Sequence, residues 1–108
     1  MIDREFFLGF VKIHILYHAS KEPIFGVGII EELSRHGYYL SPGTLYPTLH
    51  RLAEDGYLKQ DSKLVARKVR KYYTITDSGL EVLKKARDKI SELVDEVPDD
   101  CNSNPIHL

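Results

Sequence analysis

Leu40-Ser41-Pro42-Gly43-Thr44-Leu45-Tyr46-Pro47-Thr48-Leu49-His50-Arg51-Leu52 is the stretch that decides the fold of this chain. Ser41 suits an N-cap whose hydroxyl accepts a bond from an orphan amide, and Pro42 suits the first helical position, where a missing N–H is harmless. At about 100° per residue, Leu45, Leu49 and Leu52 fall on one stripe, leaving Thr44, Pro47, His50 and Arg51 pointing away from the core. That outer face is polar and cationic. A helix reading the major groove needs such a face, with a dipole that favours phosphate and side chains that reach base edges. Pro47 removes one backbone bond inside the helix and is expected to tighten or bend it, holding the helix start close to a flat partner.

Upstream of this helix, Val27, Ile30 and Leu33 mark the inner stripe of another helix that runs to about His36. Gly37 then supplies a helix-ending residue able to take a left-handed conformation. Two short helices joined this tightly, the second capped and basic, match the helix-turn-helix plan. Lys21, Glu22, Pro23 and Gly26 punctuate a loop before them. From about Asp3 to Ala19 an opening helix carries apolar residues around nearly its whole circumference, Phe6, Phe7 and Phe10 among them. A domain this small has little interior in which to surround a helix, so part of that surface is expected to meet a second subunit.

Downstream, Asp55-Gly56 stops the presenting helix, and Tyr57 to Gln60 and Val69 to Ile75 are rich in strand-favouring residues. Between them lies the charged stretch Asp61 to Lys68. The expected product is a hairpin with a basic tip, a wing whose cations lie along phosphates beside the groove. From Ser62 to Tyr73 the charged residues are Lys63, Arg67, Lys68, Arg70 and Lys71, with no acid among them. Lys71 alternates to the other strand face from Arg70. From Thr76, which suits an N-cap, a last helix is expected to run to about Val97, where Pro98 ends it. Leu83, Ala86, Ile90, Leu93 and Val97 step by three and four, the seam of a helix that pairs with another helix. The seam is too short to hold a dimer unaided, so it is expected to work together with the first helix.

With 108 residues, 43% of them hydrophobic and 29% charged, the chain has the size and composition of one globular domain. The formal net charge of −1 argues against indiscriminate polyanion binding. The charge is unevenly spread, however, with a basic middle and an acidic end, and polyanion contact belongs to the middle. Cys101 is the single cysteine and the start shows no signal-peptide pattern, so a reducing cytoplasm is the expected compartment. No apolar run is long enough to span a bilayer, and no membrane partner is expected.

Other motifs point to less. His14 and His18 lie four apart, a spacing that can bind a metal, but with His36 remote in sequence no third ligand is evident and no metal is expected. Tyr72 and Tyr73 read as strand residues with one ring inward. There is no glycine-rich phosphate loop, nucleophile motif or paired carboxylate spacing, so neither an enzyme nor a cofactor is expected.

The Ser-Pro-Gly-Thr-Leu-Tyr-Pro run at 41–47, with Leu49, Arg51 and Leu52, Gly56-Tyr57-Leu58, Arg70-Lys71-Tyr72-Tyr73, and Thr76 with Gly79 and Leu83, resembles the PadR-like winged-helix transcriptional regulators. The single helix after the wing resembles the compact members of that family. The resemblance implies a homodimeric repressor on an inverted-repeat operator of double-stranded DNA, with Ser41, Thr44, Tyr46 and the wing cations as contacts. In some members a flat aromatic effector is sandwiched by tryptophans at the dimer interface. This chain has no Trp, which leaves Phe6, Phe7 and Phe10 to line a small-molecule pocket there, although such a stripe reads first as core.

The expected architecture is mainly α with a small β-hairpin: a winged helix-turn-helix domain over 1–75, a dimerisation helix over 76–97 and a mobile tail over 98–108. The DNA-contact candidates are Ser41, Thr44, Tyr46, Pro47, His50, Arg51, Lys63, Arg67, Lys68 and Arg70. The dimer candidates are Phe6, Phe7, Phe10, Leu83, Ile90, Leu93 and Val97. The competing reading is a winged-helix protein-interaction module, which would not require a cationic wing.

Overall fold

The computed structural model describes residues 4–97, and the expectations for Pro98 and the tail lie outside them. Four helices and one hairpin follow in the order α1 (Arg4–Lys21), α2 (Gly26–Arg35), α3 (Pro42–Glu54), β1 (Leu58–Val65), β2 (Lys68–Ile75) and α4 (Asp77–Glu96). The core is one cluster. Val11 and Ile15 of α1, Leu33 of α2, and Leu45 and Leu49 of α3 are fully buried in it, each contributing about 1.5–3 kcal/mol through removal from water.

Both helices of the helix-turn-helix end the same way. After α2, Gly37 takes φ +87°, its amide bonds the Ser34 carbonyl and the Tyr38 amide bonds the Leu33 carbonyl, both at 3.0 Å. After α3, Gly56 takes φ +85°, its amide reaches the Ala53 carbonyl at 3.0 Å and the Tyr57 amide reaches the Leu52 carbonyl at 2.9 Å. These paired bonds satisfy the last carbonyls of each helix and require the left-handed region, where a side chain is strained. The chain therefore leaves α2 and α3 at fixed angles, which sets the orientation of α3 and the hairpin. At the start of α4, Thr76 accepts the Gly79 amide at 3.0 Å, the expected cap, and its hydroxyl donates to the Gly56 carbonyl at 2.6 Å, tying α4 to the end of α3.

Several expectations change in detail. The inner face of α2 is Gly26, Ile29 and Leu33 with Ile30 partly buried, whereas Val27 points outward, because α2 begins at Gly26 and its apolar run supplies more candidates than one stripe can hold. Ile24, read as loop, forms a backbone bridge to Tyr73, with amide-to-carbonyl distances of 2.9 and 2.8 Å, so the segment before α2 extends the sheet edge. The strands run through the charged stretch. Val65 pairs with Lys68, leaving Ala66 and Arg67 as a two-residue turn with φ of 50° and 66°. Both turn residues are left-handed, the geometry that matches the twist of a two-residue hairpin, although neither is glycine. On α1, Val11, Ile15, Leu16 and Ala19 are buried, Phe7 and Leu8 are partly so, and Phe6, Phe10 and Tyr17 stay exposed.

The fold also supplies what the spacing of His14 and His18 lacked. His36, at the C-cap of α2, stacks against His14 with ring centroids 4.9 Å apart and lies 5.8 Å from the His18 ring. A third potential ligand is therefore present, because the helix pairing that builds the core brings α1 beside the end of α2.

Candidate nucleic-acid interface

α3 presents its predicted face. Leu45, Leu49 and Leu52 are buried, while Pro47, His50 and Arg51 are exposed and Thr44 is half-buried. Ser41 holds the N-cap position in extended backbone, but its hydroxyl makes no capping bond. Its carbonyl accepts the Thr44 and Leu45 amides at 3.0 Å, and the Ser41 hydroxyl sits 3.4 Å from the Thr44 hydroxyl. Pro42 has no amide hydrogen and the Thr44 and Leu45 amides are taken by the Ser41 carbonyl, so the Gly43 amide, with the helix dipole, is what favours an anion at this end.

Helix α3 runs unbroken through Pro47. Having no amide hydrogen, Pro47 cannot bond the carbonyl one turn back at Gly43, and the helix tolerates that loss because it is one bond near an exposed end. Thr48, unmarked by any local pattern, is buried and its hydroxyl donates to the Thr44 carbonyl at 2.8 Å. Tyr46 lies on the flank of α3 with its ring against the backbone of Gly26. A Cβ at Gly26 would fall on the Tyr46 ring, so glycine there permits the close approach of α2 and α3.

The hairpin register sorts the wing cations. Residues facing each other across antiparallel strands share a face, and Lys63 pairs with Arg70 and Val65 with Lys68. Lys63, Lys68 and Arg70 therefore occupy one face. Arg70 places its guanidinium 4.4 Å from the Phe25 ring centre, and the Lys63 ammonium lies 5.2 Å from the Tyr72 ring, itself edge-on to Phe25. These cation–π contacts orient the two charges without neutralising them. Arg67 sits at the turn. Lys71 is on the opposite face, as expected.

Between the hairpin and the start of α2 lies a groove of 510 Å³, lined by Phe25, Gly26 and Val27 with Tyr46 of α3 on one side and by Lys68, Arg70, Lys71 and Tyr73 on the other. Burial, with Tyr46 nearby, pushes the Tyr73 hydroxyl above its ordinary pKa, so it stays protonated and neutral there. A second groove of 440 Å³ runs along the other flank of α3, where Arg51 and Pro47 meet Arg4 and Lys12 of α1. Arg4 donates to the Thr44 hydroxyl at 3.1 Å. Arg4, Lys12 and Lys71 are thus cations beside the presenting helix that were not among the contact candidates. The first two could not be found from local pattern, since they come from an element whose spacing marks it as core. His50 faces Glu54 at 3.4 Å, both exposed, a contact of little energetic weight.

The residues expected at a subunit contact fall into two groups. Phe7 packs on Tyr38 with ring centroids 4.9 Å apart, and Leu83 is partly buried against the core, so both already have partners within the chain. Phe6, Phe10, Ile90, Leu93 and Val97 are exposed, together with Tyr17, Leu80 and Val94, which lie off the expected seam. A cavity of 730 Å³ opens between α1 and α4, but its lining includes none of Phe6, Phe7 and Phe10. Ile13, Tyr17, Leu80, Leu83 and Ile90 supply its apolar walls instead.

No helix among the described residues is long and apolar enough to cross a membrane. A model of the transcriptional regulator PadR-like family matches residues 15–85. The chain is 46% identical over 94 residues to a transcriptional regulator of Mycobacterium tuberculosis, an alignment covering 87% of this chain and 88% of that one. Its fold is similar to a crystal structure of a PadR family regulator from Eggerthella lenta, with a TM-score of 0.77 and 32% identity over 89% of this chain and 85% of that one. It is likewise similar to a PadR-like regulator from Bacillus cereus, with a TM-score of 0.70 and 32% identity over 85% of this chain and 94% of that one. A family match across both the helix-turn-helix and the wing, together with relatives aligned nearly end to end, shows that this chain belongs to the PadR-like family of transcriptional regulators.

Proposed function

We propose that the protein is a homodimeric repressor that binds an inverted-repeat operator, with α3 in the major groove and the β1–β2 hairpin along the adjacent phosphates. The observation that carries this reading is the presence of cations in the grooves on both flanks of α3. Arg4, Lys12 and Arg51 flank α3 on one side, and Lys68, Arg70 and Lys71 flank it on the other. Phosphate contact by such flanks positions the helix, and the residues between them read sequence. Thr44, His50 and Arg51 are the base-edge or phosphate contacts. Ser41 and the α3 amide end meet a phosphate, and Tyr46 packs on Gly26 while facing the groove. Lys63, Arg67, Lys68 and Arg70 carry most of the sequence-independent affinity.

The dimer is built from α1 and α4, whose exposed Phe6, Phe10, Ile90, Leu93, Val94 and Val97 make up an apolar surface that one copy leaves in water. The 730 Å³ cavity beside that surface is the place for a small-molecule effector, held by its own lining and not by the three phenylalanines. Selection of genomic fragments by the purified protein, followed by footprinting, tests the function. Two protected half-sites centred about 34 Å apart are expected. A single unrepeated site, or no enrichment above random fragments, overturns the reading.

A different observation favours the interaction-module alternative. Leu64 and Val69, opposite each other near the hairpin tip, are exposed and apolar. Replacing both with serine leaves operator affinity within about twofold if the wing contacts phosphates, because neither side chain pairs with an anion.

A further inference from the structure

We propose that His14, His18 and His36 form a binding site for a divalent first-row transition ion of the zinc class, joining α1 to the end of α2. The ligand nitrogens of the three imidazoles all lie within 4.8 Å of one another. Three nitrogens on a tetrahedral zinc are ~3.4 Å apart, given Zn–N bonds of about 2.0–2.1 Å, so modest side-chain rotation closes the set. His14 and His18 share a helix face one turn apart, and their rings stack with centroids separated by 6.3 Å. The geometry matches three protein ligands with one position left for water or an anion.

A second observation is independent of that clustering. Nε2 of His18 is buried and has no hydrogen-bond partner. An imidazole nitrogen shielded from solvent and without a partner is unfavourable, and coordination to a metal would satisfy it. Glu32, one turn before His36 on α2, lies 3.6 Å from His36 Nε2. Its carboxylate supplies negative charge and orients that imidazole, as outer carboxylates do around metal-bound histidines. All three rings line the 730 Å³ cavity, which gives an ion its entry path. Lys21, Lys84 and Arg87 line the same cavity and favour an anionic fourth ligand.

Imidazole-only donors favour zinc, nickel, copper and cobalt over magnesium or calcium, which take oxygen. The test uses the untagged full chain, stripped with a chelator and titrated with Zn²⁺ and separately with Mg²⁺, with bound metal measured by calorimetry and elemental analysis. One zinc per chain and no magnesium uptake are expected. His36→Ala, on an exposed position where refolding is not at stake, weakens zinc binding at least tenfold with unchanged circular dichroism. His18→Gln does likewise. His50→Ala, a histidine outside the cluster, leaves zinc affinity unchanged. Zinc affinity in the His36→Ala and His18→Gln variants equal to that of the unaltered chain, or equal loss in His50→Ala, overturns the site, and so does wild-type uptake below one equivalent at saturating zinc. None of these outcomes depends on DNA binding.

Discussion

Helices α3 and α4 carry the same kind of apolar stripe, leucine and isoleucine at steps of three and four, yet the fold treats them in opposite ways. Leu49 of α3 is fully buried, whereas Leu93 of α4 is 57% exposed. The α3 stripe faces α1, α2 and the base of the hairpin, so the chain itself supplies its cover. The α4 stripe packs on the core at Leu83, stays half-buried at Ala86 and then runs out to Ile90, Leu93 and Val97, which are exposed. Equal patterning therefore shows that a face is apolar, and the tertiary arrangement decides whether the chain itself covers it.

Truncation gives the sharpest contrast. Leu49→Ala is expected to destabilise the fold by about 2–5 kcal/mol in denaturant unfolding, since it opens a cavity in a fully packed site. The paired substitution Phe10→Ser with Leu93→Ser should leave each chain folded but raise the dimer dissociation constant by about 100-fold, read by sedimentation. An intact dimer in that variant would break the comparison by showing that the exposed stripe is idle. On the outer face of α3, Arg51→Ala should cost about 1–3 kcal/mol in operator affinity with the melting temperature unchanged, separating the presented side of the helix from its buried one. Gly37→Ala is the smallest of the four. It should lower stability by about 1 kcal/mol because the left-handed turn after α2 strains any side chain.

The helix-turn-helix was legible because its signals are local. Pro42 at the first helical position, the Leu45, Leu49 and Leu52 stripe, and glycines at 37 and 56 each act within one turn of chain, and each holds in the structure. The wing was legible as a hairpin but not in its length. A charged stretch reads as loop, whereas cross-strand pairing extends regular structure through exposed lysines up to a turn of Ala66 and Arg67. The Ser41 cap failed in a related way. Residue type and position were right, yet the hydroxyl points to Thr44, which Arg4 also holds. The cationic flank from Arg4 and Lys12, the Ile24 bridge to Tyr73 and the convergence of His36 on His14 and His18 are all long-range. No periodicity within one segment encodes them, so they emerge only once helices pack.

Whether α3 and the cationic hairpin act as one surface on duplex DNA is tested most directly by the salt dependence of operator binding. For the unaltered chain, the logarithm of the binding constant should fall linearly with the logarithm of salt concentration. In the double variant Arg67→Glu with Arg70→Glu, the slope should shrink by about 2, close to 0.9 for each phosphate no longer neutralised, and binding should weaken on every sequence alike. A slope unchanged by the double reversal would contradict a wing laid on the backbone, because the hairpin would then lie away from the phosphates.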